Sequence, residues 1–222
     1  MGAGDVRWHP SPNCGPRRDG LRPHLVVIHY TAMQGADAAI ARLCDPEAEV
    51  SSHYVIDMGG GVTQLVKEEE RAWHAGAGEW CGQDDINSRS IGIELDNAGD
   101  HPFPERQMAA LERLLAEIMG RWDIGPDGVI GHSDMAPGRK HDPGPRFDWA
   151  RLARQGLAAR PAKAHPNEIT EDSFRRAAGE AGFTADVGFD DLLAATRLRF
   201  APWRRGPLCA ADYALAVPKR LA

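Results

Sequence analysis

Short apolar segments bounded by turn and loop residues constrain the fold of this chain more than any other feature. The segments are too short for a helix that crosses a core, and the one at residues 24–30 is long enough for a buried strand. They lie at residues 24–30, 52–57, 62–66, 91–95 and 129–130. A run of three glycines separates the second from the third, which predicts a β-hairpin. The segments together predict the strands of one sheet.

Residues 105–122 carry the clearest helical pattern. Apolar side chains recur there at three- and four-residue spacing, and charged side chains occupy the other face, which is typical of a helix packed on a core. A shorter helix is predicted at 37–43. Strands, a helix and a last strand in this order predict an α/β fold, a mixed β-sheet flanked by helices.

The length of 222 residues exceeds one typical domain and falls short of two. Small polar residues and two prolines at 158–167 are typical of a linker. We expect a main domain at 1–160, a linker at 161–168 and a small helical segment at 169–222. Short helices are predicted within that segment at 173–181, 190–200 and 210–216.

Charge and hydropathy exclude several classes of protein. The net charge of −6 and the lack of a long basic run disfavour a nucleic-acid partner. No segment approaches the roughly 20 apolar residues of a membrane span. Residues 1–20 lack the apolar stretch of a secretory signal. We therefore expect a cytoplasmic protein without a membrane span, and no feature of the sequence indicates its oligomeric state.

The four cysteines are scattered and form no CxxC pair, which excludes a cysteine-based zinc knuckle. We expect free thiols, because a reducing compartment and a chain of this size need no disulfide. A disulfide between Cys44 and Cys81 is the alternative.

Nine histidines stand out in this composition, because imidazole is widely used for metal binding and for proton transfer near neutral pH. His29 and His132 each end an apolar strand, where a sheet meets its loops and functional groups concentrate. Asp142 follows in a Gly- and Pro-rich loop. Two imidazoles and one carboxylate can bind zinc and leave a position open for water. Spacing does not decide between Asp142 and His141 as the third ligand.

Glu94 is the candidate general base, because it lies among apolar residues of a predicted strand, where a carboxylate needs a partner or has a raised pKa. A Glu94 that faces solvent is the alternative. Lys140 lies two residues before Asp142, so both side chains can point to the same side of an extended loop. Its ammonium could stabilise an oxyanion, and a solvated lysine is the alternative.

Five sequence blocks resemble, in order, the motifs of the type 2 N-acetylmuramoyl-L-alanine amidases, which are zinc enzymes related to the peptidoglycan recognition proteins. The resemblance covers residues 23 to about 149. The blocks are VVIHYTA at 26–32, SSHYVID at 51–57, AWHAG at 72–76, SIGIEL at 90–95 and GHSDMAPGRKHDPG at 131–144.

The resemblance implies a groove that holds one Zn²⁺ and binds peptidoglycan or a muropeptide. Matched block by block, the zinc ligands are His29, His132 and Asp142. Glu94 matches the general base and Lys140 the group that stabilises the transition state. Substrate-binding positions are expected at His53, His74 and Asn97.

The implied reaction is hydrolysis of the amide between the lactyl group of N-acetylmuramic acid and the L-alanine of the stem peptide. A non-catalytic peptidoglycan receptor on the same fold is the alternative, and such receptors characteristically lack a zinc ligand. The C-terminal segment, with LRFAPW at 198–203, faintly resembles three-helix peptidoglycan-binding modules. Such a module would suit a periplasmic or cell-wall-associated protein, which is the alternative to a cytoplasmic one. The alternative role of the segment is a packing extension of the main domain.

Overall fold

The computed structural model describes residues 6–163 and 166–218. The strands in these ranges are β1 (Arg7–Trp8), β2 (Cys14–Pro16), β3 (Leu25–Tyr30), β4 (Tyr54–Ile56), β5 (Val62–Gln64), β6 (Glu70–Ala72), β7 (Ser90–Leu95) and β8 (Val129–Gly131). The α-helices are α1 (Ala36–Leu43), α2 (Ile86–Arg89), α3 (Glu105–Trp122), α4 (His132–Met135), α5 (Trp149–Arg154), α6 (Glu171–Glu180) and α7 (Phe189–Phe200). Short 3₁₀ turns lie at Arg18–Gly20, Pro46–Ala48, Pro126–Gly128 and Ala210–Tyr213. None of the described helices has both the length and the apolar character needed to cross a membrane.

Six strands form one sheet in the order β1-β5-β4-β7-β3-β8. The strands β4, β7, β3 and β8 run parallel to one another. The strands β4 and β5 form the antiparallel hairpin that the glycine run predicts. The predicted α/β fold, a mixed sheet flanked by helices, is therefore confirmed.

Helix α3 covers one face of this sheet. Its side chains Leu111 and Leu115 are fully buried against Ile28 of β3 and Ile93 of β7. The helix has the bounds that the apolar spacing predicts, and it ends where Asp123 adopts a left-handed conformation with φ 55°. Burial of this apolar stripe holds α3 to the central parallel strands.

The C-terminal helices α6 and α7 cover part of the opposite face, to which alternate residues of β3 point. Phe174 of α6 and Leu193 of α7 pack in one apolar cluster with Val27 and Ile130 of the sheet. The C-terminal segment and the sheet thus share a core. The domain boundary at 161–168 remains a prediction, and residues 164 and 165, His165 included, lie outside the described residues.

The prediction of a helix at 210–216 is wrong, because only a 3₁₀ turn, Ala210–Tyr213, forms there. The carbonyl of Leu215 instead accepts a hydrogen bond from the N–H of Ala162 at 2.9 Å. The other two predicted C-terminal helices are present as α6 and α7.

Candidate active site

Parallel strands bring polar side chains to one edge of the sheet. In the register of β3 and β7, His29 lies directly opposite Glu94, so both side chains project from the same face. Strand β8 ends at Gly131, and His132 is the first residue of α4. Because the carboxyl ends of parallel strands meet at one edge, residues far apart in sequence lie together there.

Asp142 joins the two imidazoles at this edge. Its Oδ2 lies 2.8 Å from Nδ1 of His29 and 3.1 Å from Nδ1 of His132. One ligand atom from each of these buried residues lies within 4.8 Å of the others, close enough to hold a metal ion. The side chain of the adjacent His141 is exposed and is not part of this group. Of the two residues between which spacing could not decide, the structure places Asp142 with the imidazoles.

A backbone carbonyl fixes the tautomer of His132. Its Nε2 lies 2.8 Å from the carbonyl oxygen of Ala75, which only accepts, so this nitrogen carries the proton. The same carbonyl accepts a second hydrogen bond from Nη2 of Arg139 at 2.8 Å. The Nδ1 of His132 therefore presents a lone pair toward Asp142. Sequence reasoning missed Arg139, whose place beside Ala75 depends on loop geometry.

A chain of hydrogen bonds fixes the tautomer of His29. The hydroxyl of Ser90 donates to the carbonyl of Ile86 at 2.6 Å, so it accepts from Nε2 of His74 at 3.3 Å. This leaves Nδ1 of His74 as the acceptor for Nε2–H of His29 at 3.0 Å. The Nδ1 of His29 thus also presents a lone pair toward Asp142. His74, expected to contact substrate, orients His29 and also lines the cavity.

The alternation of side chains along β7 leaves space for this chain of hydrogen bonds. Ser90, Gly92 and Glu94 share one face of the strand. A Cβ at Gly92 would lie 2.5 Å from Cγ of His74, so only glycine lets the imidazole lie against the strand. Sequence reasoning missed Ser90, although its period-two spacing from Glu94 was the signal that could have found it.

The charge states of this group fit a divalent cation. Burial lowers the pKa of His29 to about 4, and the neighbouring His132 adds to that effect. Lone pairs of two Nδ1 atoms and a carboxylate oxygen then face one another, and they repel unless a cation lies among them. Nitrogen and oxygen ligands of this kind suit a transition-metal ion.

Glu94 lies beside this group without a partner of its own. Its Oε2 is enclosed and accepts no hydrogen bond from the described residues. Burial raises the pKa of Glu94 to about 8, the charge of Asp142 adds to the rise, and the ammonium of Lys140 opposes it. Both Glu94 and Lys140 line the same cavity of about 420 Å³ as His29, His132 and Asp142. The cavity therefore contains a group that could hold a metal ion, a carboxylate with a raised pKa and a cation.

The raised pKa predicts a cost in stability for the metal-free protein. The folded state holds the Glu94 proton up to a pKa of about 8, whereas the unfolded chain releases it near its ordinary value. Stability from this group therefore falls as pH rises between those two values. At pH 4 we expect the free energy of unfolding of Glu94→Gln to equal that of wild type. Above pH 8 we expect it to be about 2 kcal/mol larger than that of wild type, a figure that allows for the partial exposure of Glu94. Denaturant unfolding in EDTA across this range measures the difference.

Glu69→Gln is the matched control, because it removes an exposed carboxylate of the same chemistry. It is expected to leave the free energy of unfolding unchanged relative to wild type. A difference between Glu94→Gln and wild type that stays constant from pH 4 to pH 8 would contradict the raised pKa.

Two of the expected substrate-binding residues do not line the cavity. His53 is fully buried, and its Nδ1 accepts from the N–H of Gly92 at 2.9 Å while its Nε2 donates to the carbonyl of Glu70 at 3.1 Å. Asn97 is 1% exposed, and its amide donates to the carbonyl of His101 at 3.3 Å. These contacts give both residues a structural role. His53 joins neighbouring segments of the sheet, and Asn97 stabilises a loop.

Comparisons with known proteins point to one family. A family model described as N-acetylmuramoyl-L-alanine amidase matches residues 19–145. The chain is 42% identical to N-acetylmuramoyl-L-alanine amidase AmiD of Escherichia coli over 156 residues, 63% of this chain and 55% of AmiD. It therefore spans little more than half of that relative. It is 35% identical to 1,6-anhydro-N-acetylmuramyl-L-alanine amidase AmpD of Enterobacter cloacae over 67% of this chain and 88% of AmpD.

Solved structures of the same kind share the fold. A complex of E. coli AmiD with anhydro-N-acetylmuramic acid-L-Ala-D-gamma-Glu-L-Lys matches with a TM-score of 0.77 and 32% identity, over 93% of this chain and 89% of that one. A complex of AmpDh3 from Pseudomonas aeruginosa with anhydromuramic pentapeptide matches with a TM-score of 0.75 and 30% identity, over 90% and 92%. The resemblance of the sequence blocks is thereby confirmed, and the chain belongs to the N-acetylmuramoyl-L-alanine amidase family.

Proposed function

We propose that this protein is a zinc-dependent hydrolase that cleaves the amide between the lactyl group of N-acetylmuramic acid and the L-alanine of a stem peptide. The observation that carries the proposal is the convergence of His29, His132 and Asp142 beside Glu94 in one cavity. Relatives solved with anhydromuropeptides support a substrate of the same class. Retention of the complete ligand set favours the enzyme over a non-catalytic receptor.

His29, His132 and Asp142 would hold the zinc ion, with the two Nδ1 atoms and Oδ2 as ligand atoms. Zinc supplies Lewis acidity, which polarises a carbonyl and makes water easier to deprotonate near neutral pH. The hydrogen bonds to Ala75 and His74 keep each imidazole in the tautomer that a metal ion requires.

Glu94 moves the proton in this proposal. Its carboxylate takes a proton from the attacking water as the new carbon–oxygen bond forms, and it then gives that proton to the nitrogen of L-alanine as the carbon–nitrogen bond breaks. The products are a lactyl carboxylic acid and a free amine. A group that both accepts and donates a proton works best with a pKa near the operating pH, and burial, together with the charge of Asp142, raises the pKa of Glu94 to about 8.

Lys140 stabilises the negative charge that develops on the carbonyl oxygen. It lies on the loop that follows α4, where its backbone N–H donates to the carbonyl of Ala136 at 3.0 Å. One donor of this kind typically contributes about 10²–10³-fold in rate. Its position on the cavity wall, beside Asp142 and near Glu94, supports this role.

Product analysis tests the proposal. The zinc-loaded protein is incubated with anhydro-N-acetylmuramyl tripeptide in water enriched in ¹⁸O, and the products are separated by mass spectrometry. We expect a free tripeptide with an N-terminal L-alanine and an anhydromuramic acid that carries the label in its lactyl carboxylate. Intact substrate at enzyme concentrations that bind it would favour the receptor, and cleavage at another bond would reject the assigned reaction.

A further inference from the structure

The turn at residues 131–135 sets the geometry of two proposed zinc ligands. It carries His132 directly, and the N–H of Ser133 donates to the backbone carbonyl of Asp142 at 3.0 Å. Oδ2 of Asp134 accepts from the N–H of Gly131 at 2.8 Å, which closes the turn just before His132. A shift of Asp134 would therefore move both ligands.

The carboxylate of Asp134 is buried, which is energetically unfavourable. Its side chain is 1% exposed, and its Oδ1 is enclosed with no hydrogen-bond partner among the described residues. A buried carboxylate with a single hydrogen bond needs a nearby cation, because desolvation disfavours an uncompensated charge. The cation comes from the C-terminal helix α7.

Arg199 of α7 reaches under this turn. Its guanidinium is buried, it lies 3.5 Å from the ring centre of Trp149, and its Nη2 donates to the carbonyl of Val129 at 2.9 Å. Its Nη1 lies 3.6 Å from Oδ2 of Asp134. Arg199 thus contacts the first residue of β8, a ring of α5 and the carboxylate of the turn. These contacts join the turn to the C-terminal helix.

We propose that Arg199 is a positioning residue, through which the C-terminal helix holds Asp134 and thereby the ligand atoms of His132 and Asp142. The inference rests on the proposed function, since it assigns these residues to a zinc site. It makes the C-terminal segment part of the metal-binding unit, in addition to its packing against the sheet.

Arg199→Met tests the proposal, because it keeps an unbranched side chain as long as the aliphatic part of arginine and removes the charge and the donors of the guanidinium. Substitutions behind a metal ligand typically cost about 10–100-fold in metal affinity, and we expect a loss of Zn²⁺ affinity in that range by chelator competition. The d–d absorption of the Co²⁺-substituted protein is expected to change. We expect kcat to fall with KM little changed. Arg199→Lys, which keeps the charge, is expected to recover part of the affinity.

Leu193→Ala is the matched control, because it weakens the apolar packing of the same helix and removes no charge or hydrogen-bond donor. It is expected to lower the metal-free unfolding midpoint while Zn²⁺ affinity and the Co²⁺ spectrum stay at wild-type values. Asp134→Asn keeps an acceptor for Gly131 and removes the charge, so the effects of Arg199→Met and Asp134→Asn should be non-additive.

Wild-type Zn²⁺ affinity and an unchanged Co²⁺ spectrum in Arg199→Met would overturn the inference, as would the same loss of affinity in Leu193→Ala. Additive effects of the two substitutions would exclude action through Asp134. If wild type itself binds no Zn²⁺ or cleaves no muropeptide, the proposed function fails instead, so the two failures are distinguishable.

Discussion

Replacing Glu94 with Gln is expected to abolish most turnover while zinc stays bound. Gln has the same size but cannot accept the proton of the attacking water, and general acid–base catalysis typically contributes about 10²–10⁴-fold. None of the three proposed ligand atoms belongs to Glu94. We therefore expect kcat to fall by that factor, measured as release of the stem peptide, with one zinc per chain by elemental analysis.

Glu69→Gln serves again as the control, since it changes an exposed carboxylate outside the cavity, and its kcat should equal that of wild type. Turnover of Glu94→Gln within a few-fold of wild type, at full zinc occupancy, would show that another group moves the proton. A low zinc content in that variant would mean that Glu94 contributes to metal binding.

His132→Ala is expected to remove zinc and activity together. The substitution deletes one of three proposed protein ligands and removes the contact between Nδ1 of His132 and Oδ2 of Asp142. Substitutions behind a ligand typically cost about 10–100-fold in metal affinity, and we expect the loss of a ligand to exceed that. Elemental analysis after dialysis against a weak chelator measures the zinc content of the variant.

His141→Ala provides a matched control on the same loop, because His141 borders the cavity but is exposed and outside the ligand group. It should retain one zinc per chain. Stoichiometric zinc in His132→Ala, or loss of zinc in His141→Ala, would contradict the assignment of the ligands.

The sheet and helix α3 could be predicted from sequence because their patterns are local. The continuous apolar run of β3 and the 3.6-residue spacing of α3 can be read directly from the sequence, and Val26, Val27 and Ile28 of β3 are all buried. The end of the chain was less predictable, since the carbonyl of Leu215 bonds to Ala162, a partner distant in sequence.

Only those residues of the candidate site that lie near the ends of strands could be predicted from the sequence. His29, Glu94 and His132 were found because each lies at or near the end of an apolar strand. The choice between Asp142 and His141 depends on how one loop returns to the sheet, which spacing does not encode. His53 lies in one of the five sequence blocks, yet it is buried away from the cavity, where its ring bonds to the backbone of Gly92 and Glu70.

The position of Arg199 in the fold could not be predicted from the sequence. In sequence it is one of several arginines between residues 197 and 205, and no pattern distinguishes it from the others. Its role depends on tertiary contacts with Trp149, Val129 and Asp134. Such contacts between distant elements are visible only in the folded chain.

A zinc titration of the metal-free protein tests the central claim most directly. Chelator-treated wild type is given increasing Zn²⁺, and cleavage of anhydro-N-acetylmuramyl tripeptide is measured at each step. We predict negligible cleavage without metal and a linear rise in rate that reaches its plateau at one zinc per chain. Full cleavage by the metal-free protein, or one bound zinc without cleavage, would contradict a hydrolase whose metal is held by His29, His132 and Asp142.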